Sequence, residues 1–244
     1  MGIFLAAEWR DIAVLTYTID PSVLQPYLFG GLYLDKWQGE ALVSLVGFRF
    51  LNTRVFGCRM PFWGSFPEVN LRFYVCRDTA QGPRRGVVFI KEIVPYYPVA
   101  AIARAGYNEN YHHLPMSWEV SAGRAEYRWQ FAGRENHLAI ASDDPPTTPA
   151  GDSLDTFIVE HHWGYSRTRG GRTLEYEVDR PSWRTYSVSR FEADVDVANN
   201  YGSQFAAALS RPPISVVLAE GSQITVSLPN KLGSVNCPRA GAAA

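Results

Sequence analysis

Lysine is scarce in this 244-residue chain: Lys36, Lys91 and Lys231 stand against twenty arginines. Cysteine is nearly as rare. Cys58, Cys76 and Cys237 form an odd, widely spaced set without a CxxC, which excludes a disulfide framework and fits reduced thiols in a cytosol. Neither sign of charge is in excess: 23 basic against 24 acidic residues leave a net charge of −1, so no global field attracts nucleic acid or an anionic membrane surface. Long apolar runs are missing too. Nothing approaches a membrane span, and in MGIFLAAEWR the apolar run before Glu8 and Arg10 is too short for a secretory signal. The nucleophile elbow GxSxG, the Walker loop, GxGxxG and HExxH are all absent, which removes the usual support for those hydrolase, nucleotide and zinc chemistries. A cytoplasmic bacterial protein without cofactor or metal is the expectation, with a small-molecule ligand and a possible homo-oligomer as its partners.

What is abundant is apolar and aromatic: 46 % hydrophobic residues, 14 % of the chain Phe, Trp or Tyr. That suffices for a large core without staples. The dominant pattern has period two. DIAVLTYTI, GEALVSLVGFRFLNTRV, VNLRFYVCR and RGVVFIKEIV read as strands, with RAEYRWQFAG and NHLAIAS as a consecutive antiparallel pair. WGYSRTR and RTLEYEV, either side of Gly170 and Gly171, predict a hairpin; WRTYSVSRFEADVDV predicts a long strand, and ISVVLAEGSQITVSLP a last hairpin. Helices are short: one after Asp20 and Pro21, PVAAIARAG, SLDTFIVEHH capped by Asp152 or Ser153, and NNYGSQFAAALS. DDPPTTPAGD, residues 143–152, reads as a loop rather than a linker. With many strands and no βαβ alternation, the fold class is mostly β (α+β): an antiparallel β-barrel with a few short peripheral helices, one domain over 1–232 and a flexible tail over 233–244. A β-sandwich is the alternative.

In PEVNLRFYV the alternation puts Glu68, Asn70, Arg72 and Tyr74 on one face and Val69, Leu71, Phe73 and Val75 on the other. The polar face either meets water or, in a barrel with a lumen, lines a pocket; Glu68 and Arg72 would then be a carboxylate and a fixed cation for a small carboxylate ligand. Arg49 and Phe89 complete the expected ligand-binding set with Asn70, Arg72 and Tyr74. Strict alternation gives Lys91 the face of Val87, Phe89 and Ile93 and turns Glu92 away. Lys91 and Glu68 are the candidate catalytic pair, since a lysine in apolar surroundings becomes a nucleophile able to form a Schiff base. The opposing reading has Lys91 paired with a carboxylate or snorkelling to a rim. The five histidines, His112-His113, His137 and His161-His162, form no metal motif, though Glu160 is placed to join His162 at a helix end.

FPEVNLRFYV, GVVFIKEIVP and EHHWGYSRTRGGRTLEYEVDRPSW, spread over roughly residues 5–220, resemble the YqjF-like bacterial family of unknown function (domain of unknown function 2071). That family is similar in fold to acetoacetate decarboxylase, so the resemblance implies a β-barrel around a cavity. In the decarboxylase a block reading like REIWGFPKK carries the Schiff-base lysine. Against it, Lys91 matches the opening arginine, and Pro98 and Val99 stand where the lysine pair belongs; Glu68 matches the cavity glutamate. The resemblance thus implies a small-molecule cavity for an organic acid or keto compound. A lyase or hydrolase of keto or enol substrates is the alternative, with Lys91 as nucleophile or electrostatic stabiliser.

Overall fold

The period-two runs become strands that bury both their faces, and this double burial is what creates two cores in one chain. The computed structural model describes residues 2–232, so the tail over 233–244 lies outside the described residues. The strands are β1 (Ile3–Ile19), β2 (Tyr33–Leu34), β3 (Ala41–Val55), β4 (Cys58–Arg59), β5 (Phe66–Thr79), β6 (Gly82–Val94), β7 (Tyr111–His113) and β8 (Met116–Ser121). They continue as β9 (Arg124–Phe131), β10 (Arg134–Ala141), β11 (Trp163–Arg167), β12 (Thr173–Asp179), β13 (Thr185–Tyr186), β14 (Arg190–Asp194), β15 (Ser215–Ser227) and β16 (Asn230–Lys231). Five short helices accompany them: α1 (Pro21–Leu24), α2 (Tyr97–Tyr107), α3 (Leu154–Val159), α4 (Val197–Tyr201) and α5 (Ser203–Leu209). None among the described residues is long and apolar enough to cross a membrane.

In the large sheet β15, β1, β3, β5, β6, β11 and β12 lie side by side, and β12 pairs again with β15 through Val178 opposite Val226. The hydrogen-bonded order therefore returns to its starting strand. A second sheet, in the order β14-β10-β9-β8, packs against one side of the first. Ala13, Leu15, Val43, Leu45, Leu71 and Phe73 meet Tyr127, Trp129, Leu138 and Ile140 there. The opposite faces of the same strands supply Val14, Val46, Phe48, Phe50 and Tyr74 to the other core, with Phe157 and Trp183. Alternation along one strand thus feeds both cores.

Four expectations are corrected. The large sheet is not wholly antiparallel: β6 runs parallel to β7, which the chain reaches through α2, and to β11, which it reaches only after a further excursion through β8, β9 and β10 of the second sheet and α3. ISVVLAEGSQITVSLP is not a hairpin but the single strand β15. Gly221 (φ 77) lies where a Cβ would stand 1.9 Å from the Trp9 carbonyl oxygen, so the glycine permits close approach of β1, not a chain reversal. WRTYSVSRFEADVDV splits into β13 and β14, one in each sheet. NNYGSQFAAALS splits at Gly202 into α4 and α5. Asp20 and Ser153 cap α1 and α3 as expected, and residues 143–152 form a loop tied down by the Thr147–Thr185 bridge.

Candidate active site

The inner core is not solid. A cavity of about 120 Å³ opens within it, lined mainly by aromatic and aliphatic side chains from β1, β3, β5, β6 and β12, with a cluster of polar groups on one wall. Of the expected residues, Glu68, Asn70, Arg72 and Phe89 line it. Tyr74 stands behind this wall, its ring 4.8 Å from His161 and its hydroxyl 2.6 Å from Ser44 Oγ. Arg49 is paired with Asp11 and is not among the lining residues.

Lys91 is not among them either. Opposite β5, Leu71 faces Lys91 while Arg72 faces Phe89, so Ile90 is an extra residue in β6. Such a β-bulge reverses the inside-outside sense of everything after it. Lys91 consequently points into the outer core, where Nζ donates to the Asn200 carbonyl at 2.8 Å and lies 4.2 Å from the centre of the Phe131 ring. Burial lowers its pKa from 10.5. The same bulge turns Glu92 inward, opposite Asn70, onto the cavity wall. The bulge is pinned from outside: Asn110 Nδ2 donates to the Ile90 carbonyl at 2.8 Å, and the Glu92 amide donates to the Asn110 carbonyl at 3.1 Å.

Three carboxyl groups therefore share the wall: Glu68 and Glu92, which are 2 % and 1 % exposed, and Glu109, which follows the left-handed cap Asn108 at the end of α2. Glu68 accepts from Asn70 Nδ2 at 2.9 Å and from the Tyr111 hydroxyl at 2.8 Å. Glu109 accepts from the Tyr176 hydroxyl. Burial pushes the Glu68 pKa up to about 7, against the pull of Asn70, Tyr111 and the Arg72 charge. Burial likewise drives Glu109 to about 8, and it lifts Glu92 well above the carboxylate range with help from the charges of Glu109 and Glu68. Three carboxylates in one apolar wall cannot all ionise cheaply.

At the other end of this wall is a cation without a counterion. Arg72, half-buried, makes no ion pair among the described residues, and its Nε is buried without a partner. Beside Tyr74, His161 Nε2 stands 3.0 Å from Asp35 Oδ2, and Asp35 also accepts from Arg85 Nε at 2.6 Å. Burial lowers the His161 pKa to about 4, outweighing Asp35, while the charges of Arg85 and Arg72 push the same way. The ring is therefore neutral near pH 7, with its proton on Nε2 toward Asp35 and Nδ1 a bare acceptor. Nδ1 is buried and has no partner. His162 pairs instead with Glu160 at 2.9 Å, as its position at the helix end implied.

Sequence reasoning missed Glu92, Glu109, Tyr111, Tyr176 and His161. Glu92 was hidden by the bulge, which period-two alternation does not register. The signal for His161 was weak but present: an EHHW run directly after a capped helix, where one histidine of the pair must turn inward.

The fold is that of the acetoacetate decarboxylase-like proteins. It is similar to acetoacetate decarboxylase from Legionella pneumophila (TM-score 0.65, 12 % identity, covering 95 % of this chain and 88 % of that one). It is similar also to an acetoacetate decarboxylase-like enzyme from Sphingomonas wittichii RW1 (0.65, 11 %, 96 % and 94 %) and to the enduracididine biosynthesis enzyme MppR complexed with pyruvate (0.63, 12 %, 96 % and 92 %). In sequence the chain is 28 % identical over 184 residues to the uncharacterised protein YqjF of Bacillus subtilis (strain 168), covering 72 % of each. Residues 6–223 match the family described as uncharacterised conserved protein (COG2071), and the chain belongs to that family, DUF2071.

Proposed function

We propose that the seven strands whose pairing closes on itself act as a barrel, and that its cavity binds a small organic acid or keto acid. The observation that carries this reading is Arg72. A guanidinium lining an aromatic-walled cavity without a counterion leaves a planar fork of donors free for a carboxylate. The volume of about 120 Å³ suits a ligand of few heavy atoms, given that an apolar cavity of about 150 Å³ accepts benzene. Acetate, propionate and pyruvate, titrated by calorimetry into the protein and into Arg72→Gln, test it. The expected loss in the variant is about 10- to 100-fold, the worth of a charge-assisted hydrogen bond. Equal affinity in both proteins removes the reading.

A second reading, turnover of a keto or enol substrate, is favoured by Glu68. A carboxyl on the cavity wall pushed up to about 7 is suited to take and return a proton near neutral pH. Lys91 plays no part in it, since its amine lies in the other core. Solvent-deuterium exchange into the methyl group of bound pyruvate, abolished in Glu68→Gln, would distinguish turnover from binding.

A further inference from the structure

The cavity wall holds unpaired polar atoms of both kinds. Asn70 Oδ1, Glu92 Oε2 and His161 Nδ1 are buried acceptors with no donor, Arg72 Nε and Trp9 Nε1 are buried donors with no acceptor, and the Thr53 hydroxyl, able to act as either, is buried with no partner. A buried polar group without a partner costs roughly 1–3 kcal/mol, so a ligand that fits this cavity supplies the missing halves. One carboxylate answers Arg72 and leaves the three acceptors empty.

Two of those acceptors are adjacent. Asn70 and Glu92 are directly opposite across β5 and β6, and Arg72 lies two residues further along β5, about 7 Å away by strand geometry. One small molecule reaches both. Behind the acceptor end lie Glu68 and Glu109, so it can carry negative charge, and the chain itself places no lysine or arginine in an ion pair with Glu68, Glu92 or Glu109 among the described residues. The donor that suits this end is therefore charged.

We propose that the ligand is a zwitterion, an amino acid or similarly small amino-carboxylic acid, with its protonated nitrogen at Glu92 and Asn70 and its carboxylate at Arg72. This rests on the reading of Arg72 as the carboxylate site and names the chemistry of the ligand's other end. An ammonium group gives donors to the adjacent Glu92 and Asn70 acceptors and offsets the charge of a wall that is otherwise obliged to hold protons.

Two matched triplets test it by calorimetry: alanine, lactate and propionate; then β-alanine, 3-hydroxypropionate and propionate. The nitrogen, the hydroxyl and hydrogen replace one another on one carbon skeleton, so only the charged donor changes. In at least one triplet the amino acid is expected to bind about tenfold or more tightly than both companions, the margin of one desolvated charge pair. In Glu92→Gln that margin, taken against propionate measured in the same variant, should shrink to about threefold or less. Hydroxy acids or propionate binding as tightly as the amino acids would overturn the zwitterion and leave the carboxylate site standing. Failure of all the probes to bind the wild-type protein would remove both. If Glu92→Gln does not fold, the wild-type ratios decide by themselves.

Discussion

Arg72 and Lys91 are cations on neighbouring strands; Arg72 meets the cavity by plain alternation, and one extra residue in β6 turns Lys91 away from it. Lys91 ties β6 to the Asn200 carbonyl at the end of α4 and lies over Phe131 of β9. Lys91→Met keeps most of the volume but leaves that carbonyl unpaired, so a loss of about 1–3 kcal/mol in unfolding free energy is expected in urea titrations. Propionate affinity should stay within about twofold, because the substituted side chain faces away from the ligand. Loss of binding with unchanged stability would put the side chain in the wrong core. Asn200 is a junction in its own right: its side chain also accepts from Trp129 Nε1 at 2.8 Å and donates to Asn136 Oδ1 at 3.0 Å, so one residue joins ring, second sheet and helix.

Strand β6 shows how far an element's function was written in its sequence. GVVFIKEIV announces a strand without ambiguity, and alternation alone put Glu68, Asn70 and Arg72 of its unbulged neighbour β5 on one shared face, without deciding whether that face met water or a cavity. The bulge was illegible because its cause is elsewhere, in the Asn110 amide that holds the Ile90 carbonyl from twenty residues downstream. Likewise the β6–β11 parallel pairing depends on an excursion whose return no local pattern encodes. Asn110→Ala removes the pin and exposes a buried carbonyl, so a cost of about 1–3 kcal/mol is expected, accompanied by weaker ligand binding as Glu92 shifts. A variant with wild-type stability and affinity would show that the bulge holds without Asn110. The adjoining strand β11 has its own constraint. A Cβ on Gly164 would stand 2.1 Å from Tyr176 Cζ, so Gly164→Ala must displace the ring that donates to Glu109. Overpacking of this kind costs about 1–3 kcal/mol, and thermal denaturation of the variant measures it.

For the molecule as a whole, the proton-holding wall makes stability depend on pH. Glu68 and Glu109 are raised from 4.5 to about 7 and about 8, so the folded chain keeps protons that the unfolded chain has already released. Their contribution is fully present below pH 4.5 and is lost as pH rises through 7 and 8. His161 acts oppositely: lowered from 6.5 to about 4, it makes the unfolded chain the better proton binder between those values, so its part of the stability rises with pH there. Above pH 6.5 the histidine is neutral in both states and the carboxyls act without it. The unfolding free energy from urea titration, and with it the midpoint, is therefore expected to fall from pH 6.5 to 8, the free energy by up to about 1.4 kcal/mol per pH unit for each proton retained, and Glu109→Gln should flatten the slope. A midpoint that climbs through this window, or a Glu109→Gln slope as steep as the parent's, contradicts the assignment.

The pairing of β1 with β15, which sets Ile3 opposite Ser227, governs the order in which the chain can mature on the ribosome. While the intervening residues are synthesised, at about 5–20 residues per second, β1 has one bare edge and the ring stays open. Partners so remote in sequence close slowly once both exist, because the loop entropy must be met before the contact rewards it. Until then the open edge is a template for any other extended chain.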